Sequence, residues 1–221
     1  MTIFGTDMAL QYKIVPVTPF EQNCSIIWCD ETREAAVVDP GGDLPRIQAA
    51  VNELGVTLKA IWLTHGHIDH VGGTGELAQQ QDLPIIGPHK EEQFWLDMLP
   101  QQSAMFGFPP SKTFSPTTWL EEGDTIEIGK QSLSVLHCPG HTPGHVVFYS
   151  ESAQLVVVGD VLFNGGIGRT DFPKGDHQTL LNAIKDKLFT LPEETAFIPG
   201  HGPMSTIGHE KKTNPFVKMY G

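Results

Sequence analysis

Thr64-His65-Gly66-His67-Ile68-Asp69-His70 closes the strand-like run LKAIWLT at residues 58–64 and decides how the rest of the chain is read. Imidazoles and a carboxylate packed into one short window are borderline to hard donors that suit zinc, iron or manganese. Gly66 permits a tight backbone path, so alternate side chains can turn toward two adjacent cations. A closed structural zinc site usually takes four protein ligands, often with Cys, and this window holds no Cys. Exposed histidines in a polar turn are the bland alternative, and the density of ligand types argues against it.

Working outward, three further stretches place a His or Asp where a strand ends. They are Cys138-Pro139-Gly140-His141-Thr142-Pro143-Gly144, the run Val156-Val157-Val158-Gly159-Asp160, and Pro199-Gly200-His201-Gly202. A carboxylate at the end of a buried valine strand is costly unless cations neutralise it. Asp39 closes the strand-like AAVVD and reads either as a turn former before Pro40 or as a support for the histidine loop. His145 matches no ligand position and reads as a neighbour of the site or a strand start. His89, His137, His177 and His209 read as surface, capping or packed histidines.

Between these motifs the text alternates strand and helix. KIVPV, CSIIW and AAVVD are strand-like, with a turn at residues 30–34. Asp43 as N-cap, Pro45 in the first turn and the apolar face Ile47, Ala50, Val51 and Leu54 predict a helix that Gly55 stops. Helices are expected over 75–81, 90–99 and 176–188, and a short strand at 84–86. DTIEI and SLSVLH predict a hairpin around Gly129-Lys130, with HVVFYS and LVVVGD following and TAFIP as a last strand before His201. Phe94, Trp95 and Met98 read as core, and the aperiodic stretch 100–118 as a connector rather than a loop at the site. The order predicts a mixed α/β layer structure.

The 221 residues, 39% hydrophobic, support one domain spanning 1–221, with residues 1–8 an irregular leader. No apolar run is long enough for a membrane span and no signal core opens the chain, so a cytoplasmic protein is expected. Cys24, Cys29 and Cys138 read as reduced thiols. A formal charge of −12 disfavours nucleic acid as a partner, although divalent cations would reverse the sign locally. The expected partner is a small molecule, and nothing demands more than a monomer.

HGHIDH, PGHT, GD and PGH, in this order, resemble the metallo-β-lactamase superfamily over nearly the whole chain. The resemblance implies a four-layer αββα sandwich with the site at one edge of the paired sheets. It implies two divalent metal ions, zinc first with iron or manganese as alternatives. His65, His67 and His141 would hold one, Asp69, His70 and His201 the other, with Asp160 bridging them and Asp39 orienting the loop. Antibiotic-hydrolysing members usually carry a Cys in place of the bridging carboxylate and are exported, so a β-lactam substrate is not expected.

GHTPGH, the GD pair and a terminal PGHGP most resemble the glyoxalase II-like thioesterases, which act on hydroxyacylglutathiones such as S-lactoylglutathione. The implied nucleophile is a metal-bridging hydroxide, with Asp69 and Asp160 the catalytic carboxylates. Typical members also carry a C-terminal helical domain whose basic residues grip glutathione. This chain ends soon after His201, so glutathione contacts do not carry over residue by residue. Arg169, Phe163 and Phe172 are the nearest candidates for substrate contact, and Lys174 reads as surface. Gly168-Arg169-Thr170-Asp171-Phe172 also resembles a stretch of the glutathione persulfide dioxygenases, where His65, His141 and Asp160 would hold a single iron. A ribonuclease of the superfamily is disfavoured by the acidic charge.

Overall fold

The computed structural model describes residues 10–217; the expected leader at 1–8 lies outside them. Strands β1 (Leu10–Val17), β2 (Gln22–Cys29), β3 (Glu34–Val38), β4 (Thr57–Trp62) and β5 (Ile85–Ile86) form one sheet in sequential order. Strands β6 (Thr125–Ile128), β7 (Gln131–His137), β8 (Val146–Ser150) and β9 (Leu155–Gly159) belong to a second sheet, and β10 (Leu162–Phe163) and β11 (Gly166–Ile167) make a separate small hairpin. With β12 (Ala196–Pro199) and β13 (Ser205–Thr206), the second sheet runs β13-β12-β9-β8-β7-β6.

Alternation along strands buried on both faces builds three cores. On β3, Ala35 and Val37 face outward to helix α1 (Leu44–Leu54), while Ala36 and Val38 face the second sheet. Trp62 meets Phe148 there, ring centroids 5.8 Å apart. On β9, Leu155 and Val157 join that central core, while Val156 and Val158 pack against α6 (His177–Asp186) through Leu180 and Ile184. Helix, sheet, sheet and helix therefore stack as the expected αββα sandwich. Among the described residues no helix is long and apolar enough to cross a membrane. All three cysteines are buried and unpaired.

Helices α2 (Ile68–Val71) and α3 (Thr74–Gln81) follow the first histidine loop. The helix expected over 90–99 is broken instead into a 3-10 turn at Lys90–Glu92, α4 (Gln93–Asp97) and α5 (Leu99–Phe106). Pro100 stands in the first turn of α5, where its missing N–H breaks no helical bond. The stretch 100–118 therefore opens with a helix rather than a bare connector. Asp43 occupies the N-cap position of α1 without capping it; its carboxylate accepts from the Thr18 N–H at 2.7 Å. TAFIP forms β12, the last strand before His201 as expected, and β13 and α7 (Ile207–Thr213) follow it, with Thr206 Oγ1 accepting from the His209 N–H at 3.2 Å.

Candidate metal centre

The four motif loops meet at one edge of the sandwich. His65 follows β4, Asp160 follows β9, His201 follows β12, and His141 sits in the loop between β7 and β8. In the first group, His67 Nδ1 lies 3.2 Å from His65 Nε2 and 3.0 Å from His141 Nε2. In the second, Asp69 Oδ2 lies 3.1 Å from His201 Nε2 and 3.8 Å from His70 Nε2. Asp160 spans the two, with Oδ1 3.3 Å from His70 Nε2, and Oδ2 3.5 Å from His141 Nε2 and 3.8 Å from His201 Nε2. The structure thus brings together all seven side chains singled out in the sequence.

Three of the rings are oriented by what the far nitrogen meets. His141 Nδ1 donates to the Arg169 carbonyl at 2.7 Å, His201 Nδ1 to the Phe20 carbonyl at 3.1 Å, and His70 Nδ1 to Asp39 Oδ2 at 2.9 Å. Those bonds fix tautomers that leave the inward nitrogens as acceptors. Asp39, held at φ 50°, also takes the Thr64 N–H at 2.8 Å and the Thr64 hydroxyl at 2.6 Å. It therefore orients the histidine loop and is more than a turn former. His145 stacks on His65 at 4.6 Å, and its Nε2 accepts the Asp160 N–H at 3.0 Å. Gly159 makes this possible: at φ +49°, a Cβ there would lie 2.7 Å from both His145 Nε2 and Thr64 Oγ1.

Burial holds His65, His67, His141 and His145 below the ordinary imidazole range, so they are neutral. Burial pushes on His70 in the same sense, but the Asp160 and Asp69 carboxylates lift it well above. Burial likewise works to raise Asp160, and the imidazoles of His70, His141 and His201 hold its carboxyl far below the carboxylate range. The neutral imidazoles of His65, His67 and His141, with the Asp160 carboxylate beside them, form an acceptor-rich cage that suits cations. His70 Nε2 and Asp160 Oδ1 are buried there without a hydrogen-bond partner. Gly200 leaves room for the cage, since a Cβ on it would stand 2.0 Å from Asp160 Oδ1.

A cavity of about 480 Å³ opens onto the inward atoms. Phe163, Phe172 and Arg169 line it, as the sequence suggested, together with Phe20, Trp95, Gln102 and Phe106, which it did not. Trp95, read as core, is buried but packs edge-to-face with His67, ring centroids 4.5 Å apart. Gln102 and Phe106 come from the stretch read as a connector. Gln102 Oε1 accepts the Ile68 N–H at 2.9 Å and Nε2 donates to the Gly66 carbonyl at 3.1 Å, so α5 supports the histidine loop. Arg169 is exposed, doubly bonded to Asp171 at 2.8 and 2.9 Å, and sits 4.4 Å over the Phe172 ring. Lys174 lies over Phe94 at 4.4 Å and does not line the cavity.

Glu92 also escaped the sequence reading. It is fully buried, and burial pushes its carboxyl up to about 7. Elsewhere, His89, Glu91 and His137 gather at the surface, but the two rings stack at 4.3 Å and 20°, so their in-plane lone pairs run side by side and do not converge on one ion.

Residues 17–201 match the family model of the metallo-beta-lactamase superfamily. The hydroxyacylglutathione hydrolase GloC of Haemophilus influenzae is 44% identical, over 94% of this chain and 98% of its own length. Among solved structures, the B3 metallo-beta-lactamase BLEG-1 superposes with a TM-score of 0.86 at 37% identity, covering 94% of this chain and 99% of that one. A protein crystallised in a di-iron-bound form superposes with a TM-score of 0.85 at 36% identity, covering 93% of this chain and 100% of that one.

Proposed function

This chain belongs to the metallo-beta-lactamase superfamily and is a metal-dependent hydrolase, and from that premise we propose that it cleaves thioesters of the hydroxyacylglutathione type at a two-metal site. His65, His67 and His141 are the residues for one cation, and Asp69, His70 and His201 for the other. The observation that carries the reading is Asp160, whose Oδ1 faces His70 and whose Oδ2 lies between His141 and His201, so a single carboxylate touches both groups. Zinc, iron and manganese all accept this nitrogen and oxygen set. A bound pair supplies a water ionised near neutral pH and a Lewis acid for a carbonyl oxygen.

The chain's own residues argue for a thioester. The ionisable side chains lining the cavity are His67, Asp69, His141, Asp160, Arg169 and His201. Five of these belong to the metal set and the sixth is paired with Asp171, so among the described residues no free general acid stands by to protonate a leaving group. An amine would need one, whereas a thiolate, from a thiol of pKa near ~8.5, departs without help. Asp69, with its side chain open to the cavity, is placed to hold a proton in passing. Phe20, Phe106, Phe163 and Phe172 supply apolar walls for a small substrate. GloC, by its name a hydroxyacylglutathione hydrolase, supports the glutathione thioester in particular.

The likeness to BLEG-1 means that overall similarity does not separate a β-lactam from a thioester, so both belong in the assay. Protein of measured metal content is assayed with S-lactoylglutathione, other acyl thioesters, a β-lactam and glutathione persulfide, under nitrogen and under air. Thiol release from the thioesters, equal with and without oxygen, is expected. Ring opening of the β-lactam without thioester cleavage overturns the proposal, as does oxygen uptake with the persulfide by protein holding one iron.

A further inference from the structure

Glu92 lies outside the seven-residue set, fully buried, and no ion pair among the described residues involves it. Its neighbour Glu91 is exposed, so the pair does not form an acidic surface run. A buried carboxylate without a cation is costly unless each oxygen finds strong donors. Glu92 Oε2 takes the Gly66 N–H at 2.7 Å and Oε1 takes the Gly144 N–H at 2.7 Å. Gly66 belongs to the loop that carries His65 and His67, and Gly144 to the loop that carries His141.

Both donors are glycines, and the close packing of Trp95 and Glu92 against them explains why. A Cβ on Gly66 would stand 2.7 Å from Trp95 Cβ and 3.1 Å from Glu92 Oε2. One on Gly144 would stand 2.8 Å from both Glu92 Cγ and Glu92 N. The backbone tightens the same junction, with the His89 N–H donating to the Gly144 carbonyl at 3.2 Å and the Glu92 N–H to the His89 carbonyl at 2.9 Å.

We propose that Glu92 is a positioning residue, a clamp between two loops that sets the approach of His65 and His67 to His141. This role rests on the two-metal reading but not on the identity of the substrate. It is selective. In the other group, Asp39 and the Phe20 carbonyl orient His70 and His201. Loss of the clamp therefore weakens one cation position and spares the other.

Glu92→Gln keeps the shape but presents an amide NH2 to one of the two backbone N–H groups, which frees that loop. The test is cobalt binding to the full-length protein, titrated spectroscopically in two backgrounds: His201→Ala, which leaves the His65, His67 and His141 group intact, and His65→Ala, which leaves the other. Thermal melts of the metal-free proteins report folding. In the His201→Ala background, Glu92→Gln is expected to weaken cobalt binding about 10-fold or more and to alter the visible spectrum of what binds. In the His65→Ala background the affinity is expected to stay within about twofold. Glu92→Asp, too short to reach both donors, repeats the test if the Gln variant does not fold.

Unchanged binding in both backgrounds overturns the clamp, and so does equal loss in both. If neither variant folds, Glu92 serves the whole fold rather than the centre, and the proposal falls. Otherwise wild-type protein that binds no cobalt fails the two-metal reading itself, a result distinct from a failed clamp.

Discussion

Replacing Asp39 with Asn removes no atom from the cage, yet it is expected to disable one cation position through a proton. In the wild type, Asp39 Oδ1 accepts the Thr64 N–H at 2.8 Å, and Oδ2 accepts both the Thr64 hydroxyl at 2.6 Å and His70 Nδ1 at 2.9 Å. The amide must keep its oxygen toward the Thr64 N–H, because the reverse orientation buries two donors against each other. Its NH2 then replaces Oδ2. The Thr64 hydroxyl can rotate and accept, but His70 Nδ1 now faces this donor and the Gln22 amide at 3.4 Å. The imidazole must be neutral to ligate a cation, and between these two donors its one remaining proton is driven to Nε2, the nitrogen aimed at Asp160 Oδ1 from 3.3 Å.

A protonated Nε2 does not ligate, so binding must first restore the other tautomer against two donors. Lost orienting partners of this kind weaken metal binding about 10- to 100-fold, which corresponds to about 1.4–2.7 kcal/mol. The loss is confined to the cation held by Asp69, His70 and His201. Chelator competition resolves the two affinities, and the melting temperature of the metal-free protein controls for folding. Two affinities unchanged within about twofold, or two affinities reduced alike, would refute the tautomer argument.

Three other substitutions probe different links. Asp160→Asn is expected to lower turnover at least about 100-fold while the metal-free melting temperature stays within a few degrees, because the carboxylate faces the cage and not the packed core. Near-normal turnover after full metal depletion would contradict its role. Gly200→Ala puts a methyl where Asp160 Oδ1 now lies 2.0 Å away, and a displacement of about 1 Å is expected to cut turnover on the order of 100-fold. Phe172→Ala removes a half-buried ring 5.2 Å from His67 and is expected to raise KM about fivefold with kcat within about twofold. A fall in kcat alone would move Phe172 from substrate wall to catalysis.

The cage was legible because its residues sit in short motifs at strand ends, where glycine and proline mark the turns and alternation marks the strands. Those signals need no knowledge of distant contacts. The αββα order followed from the motifs' resemblance, and the two-faced burial of Ala35 to Val38 and Leu155 to Val158 accounts for it physically. The walls and braces were not legible. Glu92 stands in Lys90-Glu91-Glu92-Gln93, a polar run that reads as solvated, and only the folded chain separates buried Glu92 from exposed Glu91. Gln102 and Phe106 lie in a helix that Pro100 opens rather than breaks, which hid its period. Phe20 sits in a hairpin turn with nothing to show that its carbonyl meets His201 across 181 positions.

The central claim is that one chain holds two cations between seven side chains. Equilibrium dialysis against zinc, followed by elemental analysis of the folded protein, tests it most directly. Two ions per chain at saturation are predicted for the wild type. A count that saturates at one would contradict the account, because one of the two groups would then hold nothing.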